Sequence, residues 1–178
     1  MLTDHGIPLL CHVGPEYSYP EGIRNPELDD YRILEAPLSC GVTVIAAHCA
    51  SPVFPVIDRD TIGEFAAYME AANDRHARNS SYGALYGDTS AFALTSRLPW
   101  LRKLRERFPA EWLVNGSDFP LPIDGCIHHP LFTQSVSYSE HREIRRTANP
   151  FDKDVRVKRA HGFDESILTN AASLLRLP

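Results

Sequence analysis

The chain has 178 residues, 43% hydrophobic and 23% charged, with a formal net charge of −5; this is the composition of one globular domain, not of a disordered segment. The acidic balance gives no electrostatic basis for binding nucleic acid, and no apolar run approaches the roughly 20 residues of a membrane span. Four cysteines without a CxxC pair, and a start lacking a basic, apolar leader, point to a reduced cytoplasmic protein.

The first candidate element is the apolar run 7–13, which carries His12 at its end. A run apolar on both faces predicts a strand of a covered parallel sheet. A short helix within 26–38 follows, ended early by Pro37. The run 42–48 repeats the form of the first and ends on His48. Next, Ile62, Phe65, Ala66, Met69 and Ala72 recur at helical spacing, and Thr61 with Glu64 fits a capping box. Weaker strands at 84–88, ending on Asp88, and at 112–118, ending on Asp118, flank a second helical stripe. That stripe is Leu98, Leu101, Leu104 and Phe108, with Pro99 tolerable in the first turn. The stretch 120–163 reads as a long, mostly irregular insertion with a short helix at 139–147, the usual form of a lid or binding loop. Asp164 then caps a closing helix whose apolar face is Ile167, Leu168, Ala171, Leu174 and Leu175.

Strands alternating with helices predict an α/β fold with parallel strands. A complete eight-unit (β/α) barrel takes about 250 residues. Four units over residues 1–178 therefore predict a single domain, a partial TIM-type barrel comprising about the last four βα units. His128, His129, His141 and His161 fall in the long insertion and are expected at the surface. Cys126 with His128 or His129 lacks the paired spacing of a zinc site.

His12, His48, Asp88 and Asp118 each stand at the C-terminal end of a strand candidate. In parallel α/β folds those ends gather on one face, which carries the active site. Taken singly, a histidine or aspartate at a strand end is commonly a hydrogen-bonded structural residue; the recurrence in successive units is what points to a site. Two imidazoles and a carboxylate suit a borderline divalent ion such as zinc. Asp88, in Gly87-Asp88-Thr89-Ser90, also fits a turn or helix cap. Glu16, just after the first strand, is placed to line a substrate pocket, with a solvated loop glutamate the equal alternative.

At these residues the sequence resembles the amidohydrolase superfamily, in the branch of amidohydrolase-2-type hydrolases and related metal-dependent decarboxylases. The segment from Pro8 to Gly14 is similar to the family's fifth strand, and that from Val44 to Cys49 to its sixth. Tyr86 to Phe92 is similar to the seventh, Asn115 to Pro120 resembles the eighth-strand GSDFP segment, and Ile167 to Leu175 the closing helix. The resemblance implies that His12 binds metal. It makes His48 a second ligand or, in the decarboxylase-like branch, an acid/base residue. It makes Asp118 both a ligand and the acceptor of a proton from water. Zinc is the favoured ion, with manganese or iron suiting nearly as well. The implied activity is hydrolysis of a C–N or C–O bond of a small molecule, with non-oxidative decarboxylation the alternative. The family's first-strand His-x-His pair has no counterpart in the chain: His128 and His129 are adjacent, and successive strand residues face opposite ways. A missing N-terminal half or a second chain is therefore expected to complete the barrel. A third reading is an inactive half-barrel serving as an assembly module.

Overall fold

The computed structural model describes residues 2–18, 20, 25–121 and 123–175. Strands β1 (Leu9–His12), β2 (Val44–Ala47), β3 (Leu85–Asp88) and β4 (Leu113–Val114) make one sheet in the order β1-β2-β3-β4, all parallel. A doubly wound sheet reverses its order at a switch point. This sheet advances in one direction, each strand beside its predecessor, as consecutive units of a barrel do. The α/β class and the parallel sheet agree with the sequence reading and are compatible with a partial TIM-type barrel.

The strands differ in burial. All four residues of β2 are buried, because β1 and β3 flank it. β1 alternates between half-buried and exposed, and Leu10 is 63% exposed. Among the described residues β1 pairs with β2 alone, so the expectation of a strand covered on both faces holds for β2 and not for β1.

Helices α1 (Leu2–His5), α2 (Glu35–Ser39), α3 (Ile62–Arg78) and α4 (Leu101–Arg107) occur between or before these strands. The predicted stripe of α3 is its buried face: Ile62, Phe65 and Met69 are fully buried against Val44, Ala46 and Leu85. Burying such a side chain stabilises the fold by about 1.5–3 kcal/mol. Thr61 makes no capping box. Its hydroxyl donates to the Ala50 carbonyl instead, and Asp60 accepts from the Ile62 amide. Pro37 lies inside α2, not after it, in the first turn where its missing N–H has no intrahelical partner to lose. The second stripe divides into a tight turn at Thr95–Trp100, which takes in Pro99, and α4 proper.

The stretch 120–163 differs most from expectation. Besides α5 (Tyr138–Arg146), started by a Ser137–Glu140 capping box, it holds α6 (Pro150–Ala160), capped by Asn149. The two helices pack around Val136, Ile144, Val157 and Ala160, with Ala93 beneath. The buried face of α6 includes Asp154 and Lys158, so the sequence shows no apolar stripe there. The closing helix is likewise split: Asp164 caps a single tight turn, Glu165–Leu168, and α7 (Asn170–Leu174) follows. No helix among the described residues is long and apolar enough to cross a membrane.

Candidate active site at the C-terminal ends of the strands

Parallel register brings four predicted residues to one end of the sheet. His12 is level with Ala47, the residue before His48, and Asp88 is level with Val114, which leads into the loop carrying Asp118. The His12 and His48 rings meet edge to face at 5.3 Å between centroids. His48 Nε2 faces Asp118 Oδ2 at 3.8 Å, and His12 Nε2 faces Glu16 Oε2 at 3.6 Å. His12, Glu16, His48 and Asp118 thus belong to one neighbourhood, with His48 at its centre.

The backbone there is unusual. His48, Cys49 and Ala50 are three consecutive residues with φ between 49° and 55°, and Asp118 has φ 61°. Non-glycine residues rarely adopt this left-handed region, and such strain concentrates at functional sites. It persists here because the surroundings hold the turn. The His48 amide donates to Asp88 Oδ1 at 2.8 Å, and the Cys49 thiol to the Asp88 carbonyl at 3.3 Å. Gly87 is required beside it, since any Cβ at that position would collide with the Cys49 sulfur.

Asp88 is therefore an organiser and not merely a turn residue. Its Oδ1 accepts from the Ser90 amide at 3.0 Å and from the Ser90 hydroxyl. With its hydrogen committed to Asp88, Ser90 Oγ accepts from His48 Nδ1 at 2.7 Å. That assigns the proton of neutral His48 to Nδ1 and leaves the Nε2 lone pair facing Asp118. Burial, and then the nearby Arg97 charge, hold the His48 imidazole below its ordinary range against the pull of Asp88 and Asp118. Burial raises the Glu16 carboxyl, but hydrogen bonds from Ser18 and the proximity of His12 outweigh it and keep the group low. Burial pushes the Cys49 thiol well up, so it is no nucleophile.

A lone pair and a carboxylate oxygen facing each other at 3.8 Å call for a proton, a water or a cation between them. The nitrogen and oxygen donors of His12, His48 and Asp118 fit a borderline divalent ion in chemistry. Among the described residues, however, no group of three or more His, Cys, Asp and Glu side chains stands arranged as a finished metal shell.

Several residues of this neighbourhood carried no signal in the sequence. Arg97 is 3% exposed, and its Nε finds no hydrogen-bond partner among the described residues. Burial lowers its guanidinium to about 10, although Asp118, Asp88 and Asp58 all act to raise it. Ser90 lay within a recognised segment, yet only folding shows its link to His48. Lys158, buried on α6, reaches Asn115 Oδ1 at 2.9 Å and the Gly116 carbonyl at 2.6 Å, and so anchors the start of the Asp118 loop. It is ion-paired with Asp154, also buried.

The fold and this cluster define an α/β protein with a polar, strained site at the C-terminal edge of a parallel sheet. No family model and no curated protein matches the chain. Among solved structures, that of 5-carboxyvanillate decarboxylase LigW from Sphingomonas paucimobilis is similar, at 15% identity and a TM-score of 0.36. The match covers 99% of this chain and 51% of that one, so the chain spans about half the length of this neighbour. So distant a likeness leaves the site to be read from its own geometry.

Proposed function

We propose that this chain contributes the active-site half of a metal-dependent, amidohydrolase-type enzyme that hydrolyses a C–N or C–O bond of a small molecule. The observation that carries the reading is the convergence of His12, His48 and Asp118, with His48 and Asp118 both in left-handed backbone. His12, His48 and Asp118 would hold the ion, zinc by its donor set, with manganese or iron close behind. A bound ion supplies Lewis acidity that brings the ionisation of water toward neutral pH. Asp118 would accept the proton so released. Glu16, 3.6 Å from His12, would line the substrate side, and Arg97 would offset negative charge around Asp118.

A second reading, non-oxidative decarboxylation, draws on the Asp88–Ser90–His48 chain. That chain fixes Nδ1 and leaves Nε2 as a proton-transfer atom, so His48 would protonate substrate carbon and not bind metal. We infer further that a second chain or additional residues N-terminal to this segment supply the rest of the ligand shell.

Elemental analysis of the purified chain, beside His12→Ala and Asp118→Ala, tests the reading. Near-stoichiometric zinc or manganese in the wild type, lost in both variants, is the expected outcome. Metal that persists in both variants would refute the site. His48→Ala separates the two chemistries: it lowers metal content under the hydrolase reading and leaves it intact under the other.

A further inference from the structure

A second constellation lies away from the sheet, in the stretch read from sequence as an irregular insertion with surface histidines. His128 is fully buried and His161 is 6% exposed. His128 Nε2 is 3.0 Å from the Ala93 carbonyl, which can only accept, so Nε2 carries a hydrogen. In neutral His128 the other nitrogen, Nδ1, is then an acceptor, and it lies 3.0 Å from His161 Nε2. His161 Nε2 must donate to it, which leaves His161 Nδ1 as an acceptor for the Ser135 hydroxyl at 2.9 Å. Each bond fixes the direction of the next. The result is a one-way chain from Ser135 through His161 and His128 to Ala93.

Ser135 is exposed, and with His161 it lines a cavity of about 700 Å³. Leu98, Pro99 and Phe132 give that cavity an apolar wall, and Arg102 stands among its lining. Thr133 lines it as well, and its buried hydroxyl has no hydrogen-bond partner among the described residues. A serine hydroxyl bonded to a histidine that a third group orients is the arrangement nucleophilic acyl transfer requires.

We infer that Ser135, His161 and His128 form a second, metal-independent site that hydrolyses small carboxylic esters with apolar acyl groups. Ser135 Oγ attacks the ester carbonyl while its proton passes to His161 Nδ1. Collapse breaks the C–O bond to the alcohol, which leaves with the proton from His161, and the acyl group stays on Ser135. Water then gives a proton to His161 and attacks the acyl carbon. The acid departs and Ser135 regains its hydrogen, so ester and water yield acid and alcohol. His128 touches no substrate; it is a positioning residue that holds the His161 ring with Nδ1 toward Ser135. Burial, and then the neighbouring His128, lower His161 to about 4, so at neutral pH its Nδ1 carries no proton and stays an acceptor for the Ser135 hydroxyl.

The test is labelling of the full chain with diisopropyl fluorophosphate, with the adduct mapped by mass spectrometry and turnover of p-nitrophenyl butyrate followed in parallel. One adduct on Ser135 is expected, undiminished by chelators, which separates this site from the metal-dependent reading of the sheet. Ser135→Ala abolishes the adduct, and His161→Gln slows labelling by about 100-fold, the lower range for a lost general base. His128→Phe slows it comparably, while His128→Gln, which keeps one donor and one acceptor, restores most of the rate. Folded wild-type chain with no adduct on Ser135 overturns the inference, as does labelling at an unchanged rate in folded His161→Gln. If His161→Gln does not fold, His128→Phe against His128→Gln decides: labelling at least tenfold slower in His128→Phe is expected, and equal rates overturn the assignment.

Discussion

The sheet with its covering helices and the α5–α6 segment are stabilised in different ways, and the difference explains which of the two could be read in advance. The first is a dry core in which Ile62, Phe65, Met69, Leu85 and Leu104 have no solvent exposure. The second buries titratable groups: Asp154, Lys158, His128, His141 and His161 are all under 10% exposed. Apolar burial is non-directional and tolerant of detail, whereas a buried charge or imidazole is stable only with its partners in place. The sheet region should therefore respond to lost volume, and the helical segment to lost partners and to pH.

The largest contrast comes from one substitution in each region. Phe65→Ala should cost roughly 3–5 kcal/mol through lost burial and the cavity left behind. Lys158→Met should cost a similar roughly 3–5 kcal/mol, because Asp154 is left buried and unpaired. The distinguishing result is rescue. Asp154→Leu combined with Lys158→Met should recover the part of the loss due to unpaired Asp154 in urea unfolding, since a buried ion pair is often replaceable by apolar residues, while the Lys158 bonds to Asn115 and Gly116 stay lost. A Lys158→Met cost below about 1 kcal/mol would break the comparison, because the pair would then hold nothing.

Next in size is the response to acid. Burial, and then His128 and Arg105, depress His161 to about 4, with Glu140 opposing, while the unfolded chain titrates near the ordinary 6.5. Between these values the unfolded state binds more protons, so the stability that neutral His161 contributes is fully present above about 6.5. It is lost as pH falls toward 4, by roughly 3 kcal/mol at most. His128, also lowered by burial, acts in the same direction. Asp154, raised by burial to about 6, acts in the opposite one, contributing stability that is lost as pH rises through that value. Unfolding free energies of wild type and His161→Gln, compared from pH 7 to pH 4.5, should show the shallower acid loss in the variant. Parallel curves would remove His161 from the account.

The smallest expected effect is at the start of α5. Ser137 and Glu140 make a reciprocal capping box, with the Ser137 amide 2.8 Å from Glu140 Oε2. Ser137→Ala should cost about 1 kcal/mol, seen as a small drop in melting temperature, without touching the Ser135 adduct. A loss several times larger would mean that α5 organises more of the segment than its own first turn.

Much of the sheet was legible. Each of the four strands lies within the segment expected of it, and His12, His48 and Asp88 stand at or next to strand ends, whereas β4 stops at Val114 and Asp118 reaches the same neighbourhood from the loop beyond it. Apolar runs and helical spacing are local signals, and the chirality of βα connections turns them into a spatial order. The partners of these residues were not legible. Nothing near Arg97 in the sequence marks it as buried beside Asp118, and Ser90 bonds a histidine 42 residues away. α6 escaped for the opposite reason: its inward face carries Asp154 and Lys158, which a hydrophobic pattern assigns to solvent.

By itself the sequence determined the α/β class, the parallel order and the residues delivered to the strand ends, because these follow from short-range pattern and from the handedness of the chain. Only the tertiary structure decided which nitrogen carries the proton in His48, His128 and His161 and which charges are buried together. It also decided that Ser135 faces His161 across 26 residues of chain. Hydrogen-bond direction and burial are set by all the neighbours at once, and those neighbours come from segments that the sequence keeps apart.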